Sequence, residues 1–154
     1  MQVFSTAVAV LQPQYRGPTG HGTEFMSAIY QHFGDRAYRD VDSATDYAIA
    51  QGWADPNRLT RFGWSAGGFM TSWTVTQTNR YEAAIEGAGI TDWLTFIWTS
   101  DVWQTDFDAR SPNKDPETFL SFSAAMHSES VTTPLLILHG AADERAYLSG
   151  TGVV

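Results

Sequence analysis

The stretch Leu59-Thr60-Arg61-Phe62-Gly63-Trp64-Ser65-Ala66-Gly67-Gly68 decides the fold. A short apolar run enters G-x-S-x-G-G, and a helix-forming segment follows without a break. That order reads as a nucleophile elbow, in which a serine sits on a tight strand-to-helix turn with its hydroxyl above the sheet edge. Glycines are expected at 63 and 67 because side chains there would collide in so sharp a turn. The helix after Ser65 directs its free N–H groups and the positive end of its dipole at the site. The backbone N–H of Ala66 is thereby a candidate donor to an oxyanion. A serine in an ordinary glycine-rich turn accounts for G-x-S-x-G alone. It does not account for the strand before, the helix after and the additional Gly68.

Working outward, four short apolar runs read as buried strands: Val8–Leu11, Leu59–Trp64, Ala83–Ala88 and Leu135–His139. Each is too short for a helix and ends at Gly, Pro or a polar turn. Ala37, Val41, Ala44 and Ala48 recur at helical spacing, with Asp40, Asp42 and Asp46 on the other side. Gly52 stops that helix, and Asp55-Pro56 turns the chain toward the next strand. A second helix is expected from about Ala66 to Thr78, and a third over Glu117–Ser128 after Pro116. Alternating strands and helices imply an α/β chain with a parallel sheet.

Composition narrows the function. The 154 residues suit one domain, and 43% hydrophobic against 17% charged residues is enough for a real core. The absence of cysteine excludes a disulfide scaffold, a thiolate metal site and a cysteine nucleophile. A net charge of -8 argues against nucleic acid, which is held by clustered Lys and Arg. No apolar run approaches the ~18 residues of a membrane helix. Residues 1–12 carry no Lys or Arg, so no signal peptide is visible, and the chain as written is expected to be soluble and cytoplasmic. No histidine pair has metal-ligand spacing, and no metal or organic cofactor is implied. Gly17–Gly22 lacks the Lys-Ser/Thr of a phosphate-binding loop.

A serine nucleophile needs a base, and the base needs an orienting carboxylate. Asp143 ranks first as the acid, because Gly140-Ala141-Ala142-Asp143 is the loop that follows a late strand. Asp92, after the strand Ala83–Ala88, is the rival. His21, His32, His127 and His139 all precede Asp143 and none follows it, so the usual Ser–acid–His order is not completed within the chain. His139 is expected to be buried or hydrogen-bonded at the strand end. His21 and His32 read as loop and helix-surface residues. The aromatic stretch Trp93–Phe107 reads as a pocket wall, core packing or a lid.

These blocks resemble the catalytic domain of the prolyl oligopeptidase family of serine peptidases, in its dipeptidyl and acylaminoacyl peptidase branch. Tyr15-Arg16-Gly17-Pro18-Thr19-Gly20-His21-Gly22 is similar to the family's N-Y-R-G-S-T-G-Y-G loop, with Pro18 and His21 as departures. Gly34-Asp35-Arg36, Asp40, Asp46, Asp55–Leu59, Gly63–Gly68, Gly87–Asp92, and Thr133-Pro134 through His139-Gly140, Asp143 and Arg145 extend the match. The resemblance implies an α/β-hydrolase fold, a mostly parallel sheet with helices on both faces, truncated at both ends. It implies peptide substrates cleaved through Ser65 with Asp143 as the acid. It also implies that an earlier oxyanion loop, a β-propeller and the catalytic histidine lie outside these residues.

The tail Ala146–Val154 departs from the family pattern. Leu148–Val154 can be encoded so that a one-base shift reads Ser-Gln-Gly-Gln-Glu-Leu-Tyr, which fits the pattern, so a frameshift near codon 146 is expected, with a genuine short tail as the alternative. Two further readings remain: a carboxylesterase on the same fold, and a non-catalytic fragment or subunit that depends on a complementary chain for its histidine and strands.

Overall fold

The computed structural model describes residues 8–29, 32, 34–101 and 115–148. Three parallel strands form its sheet, β1 (Thr60–Trp64), β2 (Ala83–Gly87) and β3 (Leu135–Leu138), in the order β1-β2-β3. The register aligns Phe62 with Ile85 and Ile85 with Leu136, and likewise Trp64, Gly87 and Leu138. Residues aligned in this way share a face. The helices are α1 (Thr23–Ser27), α2 (Asp35–Ala50), α3 (Ala66–Gln77), α4 (Trp93–Thr99) and α5 (Pro116–Ser121), followed by a 3-10 segment at Ala124–Ser130.

α3 connects β1 to β2 and lies on the face that carries the buried Ala84 and Glu86. It is buried along most of its length, Gly68 through Val75, and so shows none of the one-sided periodicity of a surface helix. α2 does show it. Ala37, Val41, Thr45 and Ala48 are its buried residues, and Ala37 and Val41 join Phe69, Met70 and Trp73 of α3 in the core. The acidic face of α2 holds neighbouring segments. Arg16 grips Asp40 with its side chain and its own backbone N–H (2.9 Å), and Arg80 reaches Asp42 at 2.5 Å and Asp46 at 2.6 Å. On the opposite sheet face Phe62, Trp64, Leu136 and Leu138 are exposed among the described residues, an apolar surface of the kind a second helical layer covers in parallel sheets.

Two sequence expectations change. Val8–Leu11 is not a strand: it is irregular and exposed, with Val10 at 87%, because no described strand lies alongside to accept its hydrogen bonds. The helix expected over Glu117–Ser128 divides after Ser121. There the hydroxyls of Ser121 and Ser123 donate to the carbonyls of Thr118 and Phe119, competing with the helical ladder. Within the aromatic stretch a helix forms, α4, started by Asp92. Trp93 and Phe96 face the core, Trp93 meeting Phe69 edge-on at 5.0 Å, and both also wall the cavity beside Ser65, so the core-packing and pocket-wall readings both hold for them. Trp103 and Phe107, and most of the tail suspected of a frameshift, lie outside the described residues.

Candidate active site

β1 runs into Ser65, and α3 begins one residue later. Ser65 adopts φ 56° and ψ -117°, a left-handed conformation rare for a residue with a side chain. Two backbone bonds hold it there. Its N–H donates to the carbonyl of Gly87 at 2.8 Å, and its carbonyl accepts from Phe69 at 2.9 Å. Strain of this kind persists only where the surroundings over-determine it, and it clusters at active sites. Ser65 and Ala66 are both exposed. Helix geometry leaves the N–H groups of Ala66, Gly67 and Gly68 without intrahelical acceptors.

The three elbow glycines are not equivalent. A Cβ at Gly63 would lie 2.0 Å from the carbonyl oxygen of Gly67, and one at Gly68 would lie 2.5 Å from that of Gly87. Gly67 is different: a Cβ there meets nothing within 4 Å. The collision expected at Gly67 is therefore absent, because its missing side chain points into open space. The tight packing falls on Gly63 and Gly68, where helix and sheet approach most closely.

A cavity of about 330 Å³ opens beside Ser65, walled by Phe69, Met70, Trp93 and Phe96 and bordered by Arg145. Arg145 belongs to the loop after β3, and its guanidinium pairs with Asp101 at 2.5 Å. The same loop carries Asp143, whose Oδ1 accepts the N–H groups of Arg145 (2.9 Å) and Ala146 (3.0 Å). The elbow and this loop therefore border one cavity. Asp92 is placed otherwise. Both of its oxygens are engaged at the start of α4, by the N–H groups of Leu94 and Thr95 and by the Thr95 hydroxyl.

The histidines are dispersed. His21 packs on Phe25, while His127 stacks edge-on against Trp73 and contacts the carbonyl of Ser121. His139 has a side chain only 3% exposed. Its Nε2 donates to the carbonyl of Ala146 at 2.5 Å and lies 3.7 Å from Asp143 Oδ2. Among the described residues, none of these rings is hydrogen-bonded to Ser65. His139 is thus buried and hydrogen-bonded as expected, but its partner was not legible because it depends on how the loop folds back over the strand end. Residue-by-residue reading also missed Glu86, a fully buried acid in β2. A glutamate inside the run Ala83–Ala88 was the available signal.

A parallel sheet whose strand turns through a strained serine into a buried helix is the core of an α/β-hydrolase. Solved structures agree: an acylaminoacyl peptidase of Pyrococcus horikoshii superimposes with a TM-score of 0.82 at 26% identity, over 88% of this chain and 23% of that one. A puromycin-hydrolysing peptidase of Mycobacterium tuberculosis gives 0.82 at 26% identity, over 89% and 21%. The family model for the prolyl oligopeptidase family matches residues 1–152, and the chain belongs to that family of serine peptidases. Peptidase YuxL of Bacillus subtilis is 40% identical over 90% of this chain. The acylamino-acid-releasing enzyme of Arabidopsis thaliana is 29% identical over 88%. The chain spans about a fifth of the length of these relatives, 22% and 19% respectively. Among the described residues no helix is long and apolar enough to cross a membrane.

Proposed function

We propose that this chain carries the nucleophile and the orienting acid of a serine peptidase, Ser65 and Asp143. The observation that supports this most directly is the strained, exposed Ser65 between β1 and α3, beside an apolar cavity. Ser65 Oγ attacks the scissile carbonyl carbon while its proton passes to a histidine supplied from outside the described residues. The C–N bond breaks, the leaving amine takes that proton, and an acyl ester remains on Ser65. Water then hydrolyses the ester and restores the hydroxyl. The N–H of Ala66 stabilises the oxyanion, and Asp143 orients the histidine. Asp143 is favoured over Asp92 because both Asp92 oxygens are occupied in capping α4. The cavity suits an apolar substrate side chain, and the peptidases among the relatives support amide over ester substrates.

The chain by itself is proposed to be inactive, dependent on a complementary segment or chain for the base. The histidine contacts above favour this reading. Labelling with a fluorophosphonate tests both parts. The chain alone is expected to label at a small fraction of one equivalent. A longer polypeptide that includes the family's C-terminal segment is expected to label fully, and Ser65→Ala to abolish the signal. Stoichiometric labelling of the chain alone overturns the dependence on a supplied base. Labelling of the longer polypeptide that survives Ser65→Ala overturns the assignment of the nucleophile.

A further inference from the structure

The loop that carries Asp143 is anchored from beneath by a histidine that the mechanism above does not use. His139 follows β3 directly, and its buried Nε2 donates to the carbonyl of Ala146 at 2.5 Å. The N–H of Ala146 donates in turn to Asp143 Oδ1 at 3.0 Å, and the N–H of Arg145 reaches the same oxygen at 2.9 Å. The Asp143 N–H closes the near side of the loop on the Gly140 carbonyl at 3.1 Å. Imidazole, Ala146 and carboxylate thus form one continuous run of hydrogen bonds, and Ala146 is itself buried.

Two details indicate what this run does. A carbonyl can only accept, so Nε2 carries the hydrogen, and Nδ1 is then the acceptor of the neutral ring. Nδ1 is buried without a hydrogen-bond partner, an arrangement that costs free energy. The ring is therefore not placed for its own satisfaction. What it supplies is one donor at a fixed reach, without which the Ala146 carbonyl loses its partner. The run also occupies a single Asp143 oxygen. Among the described residues Oδ2 accepts no hydrogen bond, and Nε2 stands 3.7 Å from it, beyond hydrogen-bond range. A carboxylate gripped by one oxygen presents the other in a fixed direction. The outer side of the loop is tied as well, by the Asp101 N–H to the Glu144 carbonyl at 3.2 Å and by the Asp101–Arg145 pair. That pair is about half exposed and screened by water, so the buried bond is the firmer anchor.

We propose that His139 is a positioning residue, a buried donor that holds the loop after β3 through Ala146 and so sets the direction of Asp143 Oδ2. Its catalytic meaning rests on the reading of Asp143 as the acid. The hydrogen-bond run is tested apart from that reading.

Imidazole nitrogen chemical shifts in the 154-residue chain come first and need no substitution: His139 is expected to show a protonated Nε2 and a bare Nδ1. Amide exchange in the same chain follows. His139→Leu is expected to speed exchange of the Ala146 amide about tenfold or more, and His139→Gln, whose amide nitrogen can replace Nε2 as donor, to restore its protection. In the longer polypeptide, His139→Leu is expected to slow the maximal rate of fluorophosphonate labelling on the order of tenfold to a hundredfold while leaving the half-saturating concentration unchanged. His139→Gln is expected to recover most of that rate. An unprotonated Nε2 in the wild-type chain overturns the proposal, as does equal behaviour of the Leu and Gln variants. Failure of Asp143→Asn to slow labelling overturns the reading of the acid, while the nitrogen shifts and amide exchange still decide the anchor.

Discussion

The elbow makes a sharp prediction because two of its glycines, four residues apart, face opposite consequences. In Gly63→Ala the new methyl group is built 2.0 Å from the Gly67 carbonyl oxygen and 2.3 Å from its carbonyl carbon. Real Cβ atoms essentially never approach closer than 3.0 Å, so β1 and the first turn of α3 must separate by about an ångström. The obstacle is backbone, which cannot swing aside as a side-chain tip does. Overpacking of a close-packed interior costs about 1–3 kcal/mol, and this clash belongs at the upper end or beyond. At this chain length about 3 kcal/mol lowers Tm by roughly 6–12 °C. Gly67→Ala meets open space and restricts the unfolded chain, a gain of about 0.4–1 kcal/mol, or roughly 1–4 °C. Thermal unfolding of the two variants beside the wild type provides the assay. Equal losses in both variants, or an unaffected Gly63→Ala, would refute the argument that the strand–helix approach at Gly63 shapes the turn.

Three further predictions follow from other parts of the structure. The Arg16 side chain, hydrogen-bonded to Asp40, holds that carboxyl below its usual range. Its contribution to stability is therefore present above the unfolded-state pKa and is lost as pH falls through the folded one. Asp40→Asn is expected to cost about 1 kcal/mol at neutral pH, a difference that shrinks toward zero in acid, checked by urea unfolding across pH. Trp93→Ala removes a ring packed edge-on against Phe69, Phe96 and Phe122 and is expected to cost about 3–5 kcal/mol, read by thermal unfolding. Phe62→Lys with Leu136→Lys on the exposed sheet face is expected to reduce binding of an apolar fluorescent dye while changing stability by less than about 0.5 kcal/mol per site.

Much of the architecture was legible one element at a time. The runs ending at Trp64, Gly87 and Leu138 appear as strands within a residue or two of their expected bounds, and α3 begins at Ala66 as the elbow motif requires. α2 follows its alanine and valine spacing because a single face of it is buried. The failures share a cause. Val8–Leu11 has the composition of a strand, but a strand is a relation between two segments, and no described strand lies beside this one. The core-packing and pocket-wall readings of the aromatic stretch hold for Trp93 and Phe96, but α4 itself was not anticipated there. Its start depends on Asp92 capping two N–H groups, a bond that composition does not reveal. The break after Ser121 likewise turns on which carbonyls the serine hydroxyls find.

The sequence by itself determined the G-x-S-x-G-G turn and the order of strand, turn and helix, because glycine spacing and short-range hydrophobic pattern act over a few residues. It also marked Asp143 as lying in a loop after a strand. Only the tertiary structure decided which glycines are sterically required, since that depends on how closely α3 approaches β1 and the turn after β2. Only the tertiary structure turned Asp92 into a helix cap, drew His139 beneath the Asp143 loop and buried Glu86 one strand from Ser65. Those outcomes arise from contacts between segments tens of residues apart, where packing and the need to satisfy buried polar groups act together.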